Sequence, residues 1–218
     1  MDERVARGVF AATSALVTSG LVLQLVLSVT ADAEAGSFVT TPARVVNFLS
    51  FFTVQSNILV AVTCAMLARD LHRSSPLFRV LRLDAVLCIV VTGVVFHLAL
   101  ASLQELTGWD LLADTILHTI SPLLAMTGWL LIGPRGALDG RIVSLAVVAP
   151  MAWLGYALAR GALVEDRFGN DYYAYPFMNA QVHGYATALL RCALVVGLFL
   201  GLSYGTLAVD RRLGGVRS

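Results

Sequence analysis

Six apolar runs, each close to the length of a membrane crossing, constrain this chain more than any other feature. They cover Gly8 to Val29, Val45 to Ala68, Leu81 to Leu103, Leu111 to Ile132, Ile142 to Val164 and Val182 to Val209. A helix needs about 20 residues at ~1.5 Å each to cross ~30 Å of hydrocarbon. In lipid every backbone N–H and C=O must be satisfied within the segment, so such runs form helices. Turn-forming groups separate them: Ala35-Gly36-Ser37 with Pro42, Ser74-Ser75-Pro76, Thr107-Gly108, Gly133-Pro134-Arg135-Gly136 and Gly169-Asn170-Asp171. Charged residues make up 13% of the chain and the mean hydropathy is +0.80. A soluble domain carries about twice that charge fraction. The expected fold is all-α: an integral membrane bundle of six transmembrane helices, forming one domain over residues 1–218. The first run lacks a convincing cleavage site and is expected to remain as a helix.

The basic residues give an orientation. All 15 are Arg. The N-terminus, the second and fourth inter-span loops and the C-terminus hold eleven of them, among them Arg4, Arg7, Arg69, Arg73, Arg79, Arg82, Arg135, Arg211 and Arg217. The opposite loops hold Arg44, Arg160 and Arg167, and Arg191 lies inside the sixth span. The positive-inside rule therefore predicts both termini in the cytoplasm. The outer side collects Asp32, Glu34, Glu105, Asp110, Asp114, Glu165, Asp166 and Asp171, with Trp109, Tyr172, Tyr173 and Tyr175 as an outer aromatic belt. The net charge of +1 gives no reason to expect nucleic acid as a partner. Cys64, Cys88 and Cys192 sit in apolar runs without a CxxC pair, so neither a metal nor a redox site is expected from them.

The second span is apolar overall, yet it carries Ser50, Thr53, Gln55, Ser56 and Asn57. At 100° per residue Ser50, Thr53 and Asn57 share a face, with Ser56 beside it. Unpartnered polar groups in hydrocarbon are costly, so this face is expected to look into the bundle or a wet cavity. Thr53 falls about 12 Å below the outer end of its span, His118 about 10 Å, His97 about 9 Å and Arg191 about 12–14 Å, with His183 opening the sixth span. On the fourth span Asp114, His118 and Ser121 follow i, i+4, i+7; on the sixth, His183, Thr187 and Arg191 follow i, i+4, i+8. Any one of these residues serves helix packing as well as chemistry. Their convergence at one depth argues for a shared pocket, because intramembrane ionisable residues are rare and usually functional. A Thr hydroxyl becomes nucleophilic when a base takes its proton, and His118 is the natural base. Asp114 would orient the imidazole. Ser121, Thr119, Asn57 or a backbone N–H would receive the oxyanion.

Three motifs then point to a family. Phe51-Phe52-Thr53, Leu117-His118-Thr119-Ile120-Ser121-Pro122 and Tyr175-Pro176-Phe177-Met178 together resemble the androgen-induced-gene type of multi-pass membrane proteins, and within it a small bacterial six-helix branch. That resemblance covers most of the chain in order. It implies a threonine hydrolase acting on fatty acid esters of hydroxy fatty acids, with Thr53 as nucleophile and His118 as base. The expectation is a lipid ester hydrolase of the cell inner membrane, without a cofactor. Phe51, Phe52, Leu123 and Phe177 would hold an acyl chain, and Asn57, Ser121, His97, His183 and Arg191 would contact substrate. Two other classes fit the same residues. One is a zinc-dependent hydrolase ligated by His97, His118, His183 and Asp114. The other is a non-enzymatic lipid-binding or carrier protein.

Overall fold

A computed structural model describes residues 2–32, 36–136 and 138–214. Glu34 and Arg217, and Ala35 of the first expected turn, lie outside the described residues. The described chain is all-helical, and six of its helices are long and apolar enough to cross a membrane. These are α1 (Glu3–Thr30), α3 (Phe52–Arg69), α4 (Pro76–Val95) with its continuation to Leu103, the run from Gly108 to Ile132, α7 (Gly140–Leu163) and α9 (Tyr185–Gly214). The fourth span is composite: α5 (Gly108–Thr115), a π turn (Ile116–Ile120), α6 (Ser121–Thr127) and a second π turn (Gly128–Ile132). Two short helices lie between spans, α2 (Thr41–Ser50) and α8 (Ala180–His183).

α3 and α4 occupy the middle of the bundle. α1 packs chiefly on α3, α3 on α4, and α4 on α6, α7 and α9. The core follows that order. One cluster joins Phe10, Val17, Val60, Leu67 and Ile89 from α1, α3 and α4; another joins Leu83, Leu87, Ile142, Val143 and Phe199 from α4, α7 and α9. Gly20 and Gly93 allow two close crossings. A Cβ at Gly20 would stand 2.6 Å from Ile116, and one at Gly93 would stand 3.0 Å from Pro122.

The two ends of the bundle are built differently. At one end Arg7 donates to the carbonyls of Ala68 and Arg69, both at 2.7 Å, tying the N-terminus to the loop after α3. At the same end Asp210 accepts the backbone N–H groups of Gly136 and Leu138, tying the loop before α7 to the end of α9. Arg73 and Arg79 of the loop after α3 and the start of α4 line one cavity with Pro134, Leu138 and Asp210, so the four Arg-rich segments share one end. At the other end Arg44 is buried and donates to the carbonyls of Val29, Ala31, Asp32 and Phe38. There Asn47 donates to the Tyr172 hydroxyl and Arg167 N–H to Ser37 O.

The second span departs from the continuous helix expected over Val45 to Ala68. The chain stops at Ser50, passes through an extended Phe51 (φ −69°, ψ 133°) and restarts at Phe52. Neither Pro nor Gly marks the break. Side chains supply it: Trp153 Nε1 donates to Ser50 O at 3.0 Å, taking the carbonyl that a continuous helix would have used. Ser50 Oγ turns back to Val46 O at 2.7 Å and meets the Tyr156 hydroxyl at 2.6 Å. Such back-bonding competes with the helical ladder.

Candidate active site

The break at Phe51 determines how Thr53 is presented. Thr53 becomes the second residue of α3, where backbone N–H groups have no partner within the helix. Its N–H donates to the Tyr175 hydroxyl at 3.4 Å, and its Oγ1 lies 3.1 Å from His118 Nε2. Ser56 and Asn57, a turn further on, are buried. Asn57 Nδ2 donates to Thr53 O at 2.8 Å and to Leu117 O at 3.1 Å. It therefore fastens α3 to the segment carrying His118.

His118 is placed by a widened turn. Pro122 has no N–H to donate to the carbonyl four residues earlier, which is that of His118. The chain makes a π turn over Ile116–Ile120 just before it, a feature that recurs at functional sites. Gly93 on α4 leaves room: a Cβ there would come within 3.2 Å of His118 O. A matching π turn over Phe96–Leu100 brings the Phe96 ring onto the imidazole, with centroids 4.1 Å apart and planes at 17°. His118 Nδ1 lies 2.9 Å from Asp114 Oδ1, an ion-pair distance that is not aligned as a hydrogen bond. Thr53, His118 and Asp114 thus form a continuous chain of polar atoms.

Tyr175 completes the constellation. Read from sequence it belonged to an outer aromatic belt; instead it is buried, stacks on Phe177 and packs edge-on against Phe51 and Trp153. Burial pushes its phenol above the ordinary tyrosine value, and its hydrogen bonds to Thr53 and Phe52 offset only part of this. It stays neutral and keeps its proton. The only signal in the sequence was its place in the Tyr175-Pro176-Phe177-Met178 motif.

Two cavities meet at this point. One of about 70 Å³ runs between α4, α7 and α9, lined almost wholly by apolar groups such as Phe52, Val95, Leu154, Phe177, Val195 and Phe199. The other, of about 500 Å³, carries Gln24, Ser28, Gln104, Asp110 and Asp114 on its wall. Thr53, Phe96, Leu100, His118 and Tyr175 line both. The hydroxyl and the imidazole therefore stand where an apolar slot opens into a larger vestibule that carries polar side chains on its wall.

Other residues named from the sequence lie elsewhere. The π turn over Phe96–Leu100 rotates His97 out of line with Gly93, and His97 is exposed, its Nε2 3.2 Å from Thr119 Oγ1. His183 ends α8, where Gly184 (φ +75°) breaks the chain before α9. Arg191 and His183 line neither cavity. Asn57 and Ser121 are fully buried and line neither cavity. Leu123 is 53% exposed on the outer surface of α6 and lines neither cavity. Phe52 and Phe177 do line the apolar slot. Among the described residues no three His, Cys, Asp or Glu side chains gather as a metal site, because the three histidines point to different places.

Comparison with known proteins leaves the chain to its own geometry: no family model, no curated protein and no solved structure matches it.

Proposed function

We propose that this protein is a membrane-embedded lipid ester hydrolase that works through an acyl-threonine. The observation that carries the reading is the Thr53–His118 contact of 3.1 Å at the junction of an apolar slot and a larger, partly polar cavity. The motif resemblance to the androgen-induced-gene type supports the same pair. The acyl chain occupies the slot beside Phe52 and Phe177. The ester carbonyl then faces Thr53, and the alcohol portion and water use the vestibule.

The steps follow from the donors present. Thr53 Oγ attacks the carbonyl carbon while its proton passes to His118 Nε2. Asp114 beside Nδ1 favours the imidazolium so formed. The oxyanion accepts a hydrogen bond from the Tyr175 hydroxyl, a bond that is stronger in the transition state than in the ground state. His118 returns its proton to the leaving alkoxide, and the alcohol departs. A vestibule water then gives a proton to His118 as its oxygen attacks the acyl carbon; the C–Oγ bond breaks, His118 returns the proton to Thr53 Oγ, and the acid is released.

With the Arg-rich end in the cytoplasm, the site lies in the outer half of a bacterial inner membrane and both termini are cytoplasmic. The test is hydrolysis of a series of acyl esters by the purified protein, with fluorophosphonate labelling read by mass spectrometry. Turnover and an adduct on Thr53 are expected. Neither turnover nor adduct would leave a lipid-binding protein, for which two cavities without an activated hydroxyl suffice.

A further inference from the structure

A buried arginine without a counter-charge lies at the opposite end of the bundle from Thr53. Arg82, two turns into α4, is 4% exposed, and its Nε and Nη2 have no hydrogen-bond partner. Its Nη1 reaches only the Cys64 thiol at 3.9 Å, and its guanidinium stands over the Phe10 ring at 5.3 Å. Among the described residues no carboxylate lies within ion-pair distance of it. A charge held out of water without a counter-charge is costly.

Arg82 lines a cavity of about 40 Å³ together with Arg73, Ser74, Phe78, Arg79 and Asp210. Arg79 contributes a second buried Nε without a partner. Asp210 is the one acid on the wall, and both of its oxygens already accept backbone N–H groups, from Gly136 at 2.8 Å and Leu138 at 2.9 Å. Three arginines therefore line a cavity whose one carboxylate is already committed.

We infer that this cavity is an anion site that takes a single phosphate group, held by the Arg82 and Arg79 forks with Arg73 and Ser74 at the mouth. Guanidinium forks match phosphate oxygens in geometry and charge. Two sources offer that group at this end: free inorganic phosphate, and the headgroup of an anionic phospholipid. The site is separate from Thr53 and holds whether or not the protein is a hydrolase.

Two measurements on the full-length protein in detergent test it. Thermal unfolding is compared in inorganic phosphate and in chloride at equal ionic strength. Native mass spectrometry counts phospholipid retained after transfer from nanodiscs of phosphatidylglycerol or of phosphatidylcholine. If free phosphate is the ligand, phosphate at about a hundred-fold over its Kd raises the unfolding midpoint by about 5–10 °C. If a headgroup is the ligand, one phosphatidylglycerol is retained and phosphatidylcholine is not. Arg82→Gln should abolish whichever signal is seen, and Arg79→Gln, at a half-buried position, should weaken it at least tenfold. Should Arg82→Gln fail to fold, Arg79→Gln alone decides. Absence of both signals in the parent protein, or a signal unchanged in the folded variants, overturns the assignment.

Discussion

Thr53 Oγ1 and His118 Nε2 stand 3.1 Å apart although 65 residues separate them in the chain. Two local irregularities make the approach possible. The break at Phe51 presents Thr53 on the first turn of α3, and the π turn over Ile116–Ile120 carries His118 toward it. If the hydroxyl is the nucleophile, Thr53→Ser should retain ester hydrolysis and Thr53→Val should abolish it with the thermal midpoint little changed. Equal loss in both variants would argue for a packing hydroxyl.

His118→Ala should lower turnover by about 10²–10⁴, the usual contribution of a positioned base. That corresponds to about 3–5 kcal/mol of barrier. Asp114→Asn should cost less, because Asp114 reaches Nδ1 without hydrogen-bond alignment and opens onto the vestibule. His97→Ala and His183→Ala should leave kcat near the parent value, since neither side chain lines a cavity at Thr53. Steady-state kinetics of the four variants on one ester give the ranking. A His118 variant as fast as the parent would remove the mechanism.

Tyr175→Phe separates oxyanion stabilisation from packing. The ring contacts to Phe51, Trp153 and Phe177 survive the change, and only the hydroxyl is lost. Loss of one oxyanion donor typically costs about 10²–10³ in kcat. KM should change little. A fall in stability with kcat intact would mean that the hydroxyl serves only Thr53 N–H.

Gly93→Ala tests the route by which α4 places the base. The new methyl would meet Pro122 at 3.0 Å and His118 O at 3.2 Å. Overpacking of this kind costs about 1–3 kcal/mol. The expected result is a lowered thermal midpoint together with reduced kcat, since the displaced segment carries His118. Val91→Ala, on the apolar slot, should instead alter the preferred acyl length.

Topology is checked by accessibility. The three native cysteines are buried, so introduced ones report without background. Ser74→Cys and Thr107→Cys are at exposed positions at opposite ends. With the termini in the cytoplasm, an impermeant maleimide on intact cells should label Thr107→Cys and spare Ser74→Cys. The reverse pattern would move the site to the cytoplasmic half.

The number of spans and the grouping of Arg-rich segments at one end were legible from residue order, because lipid imposes its demand locally: about 20 apolar residues must run without interruption. The inward face of Thr53, Ser56 and Asn57 was legible for the same reason, since a polar face cannot meet hydrocarbon. Hydropathy holds no information on which distant side chain takes a carbonyl. The break at Phe51 depends on Trp153, 103 residues from Ser50, and it removed Ser50 from the face it was expected to share with Thr53. The π turns at Phe96 and Ile116 rotate whole segments, sending His97 to the surface and stacking Phe96 on His118. Tyr175 entered the site because a loop between α7 and α9 folds back over α3, a path no periodicity encodes. Polarity decided which residues had to turn inward; only packing between helices far apart in the chain decided which of them meet.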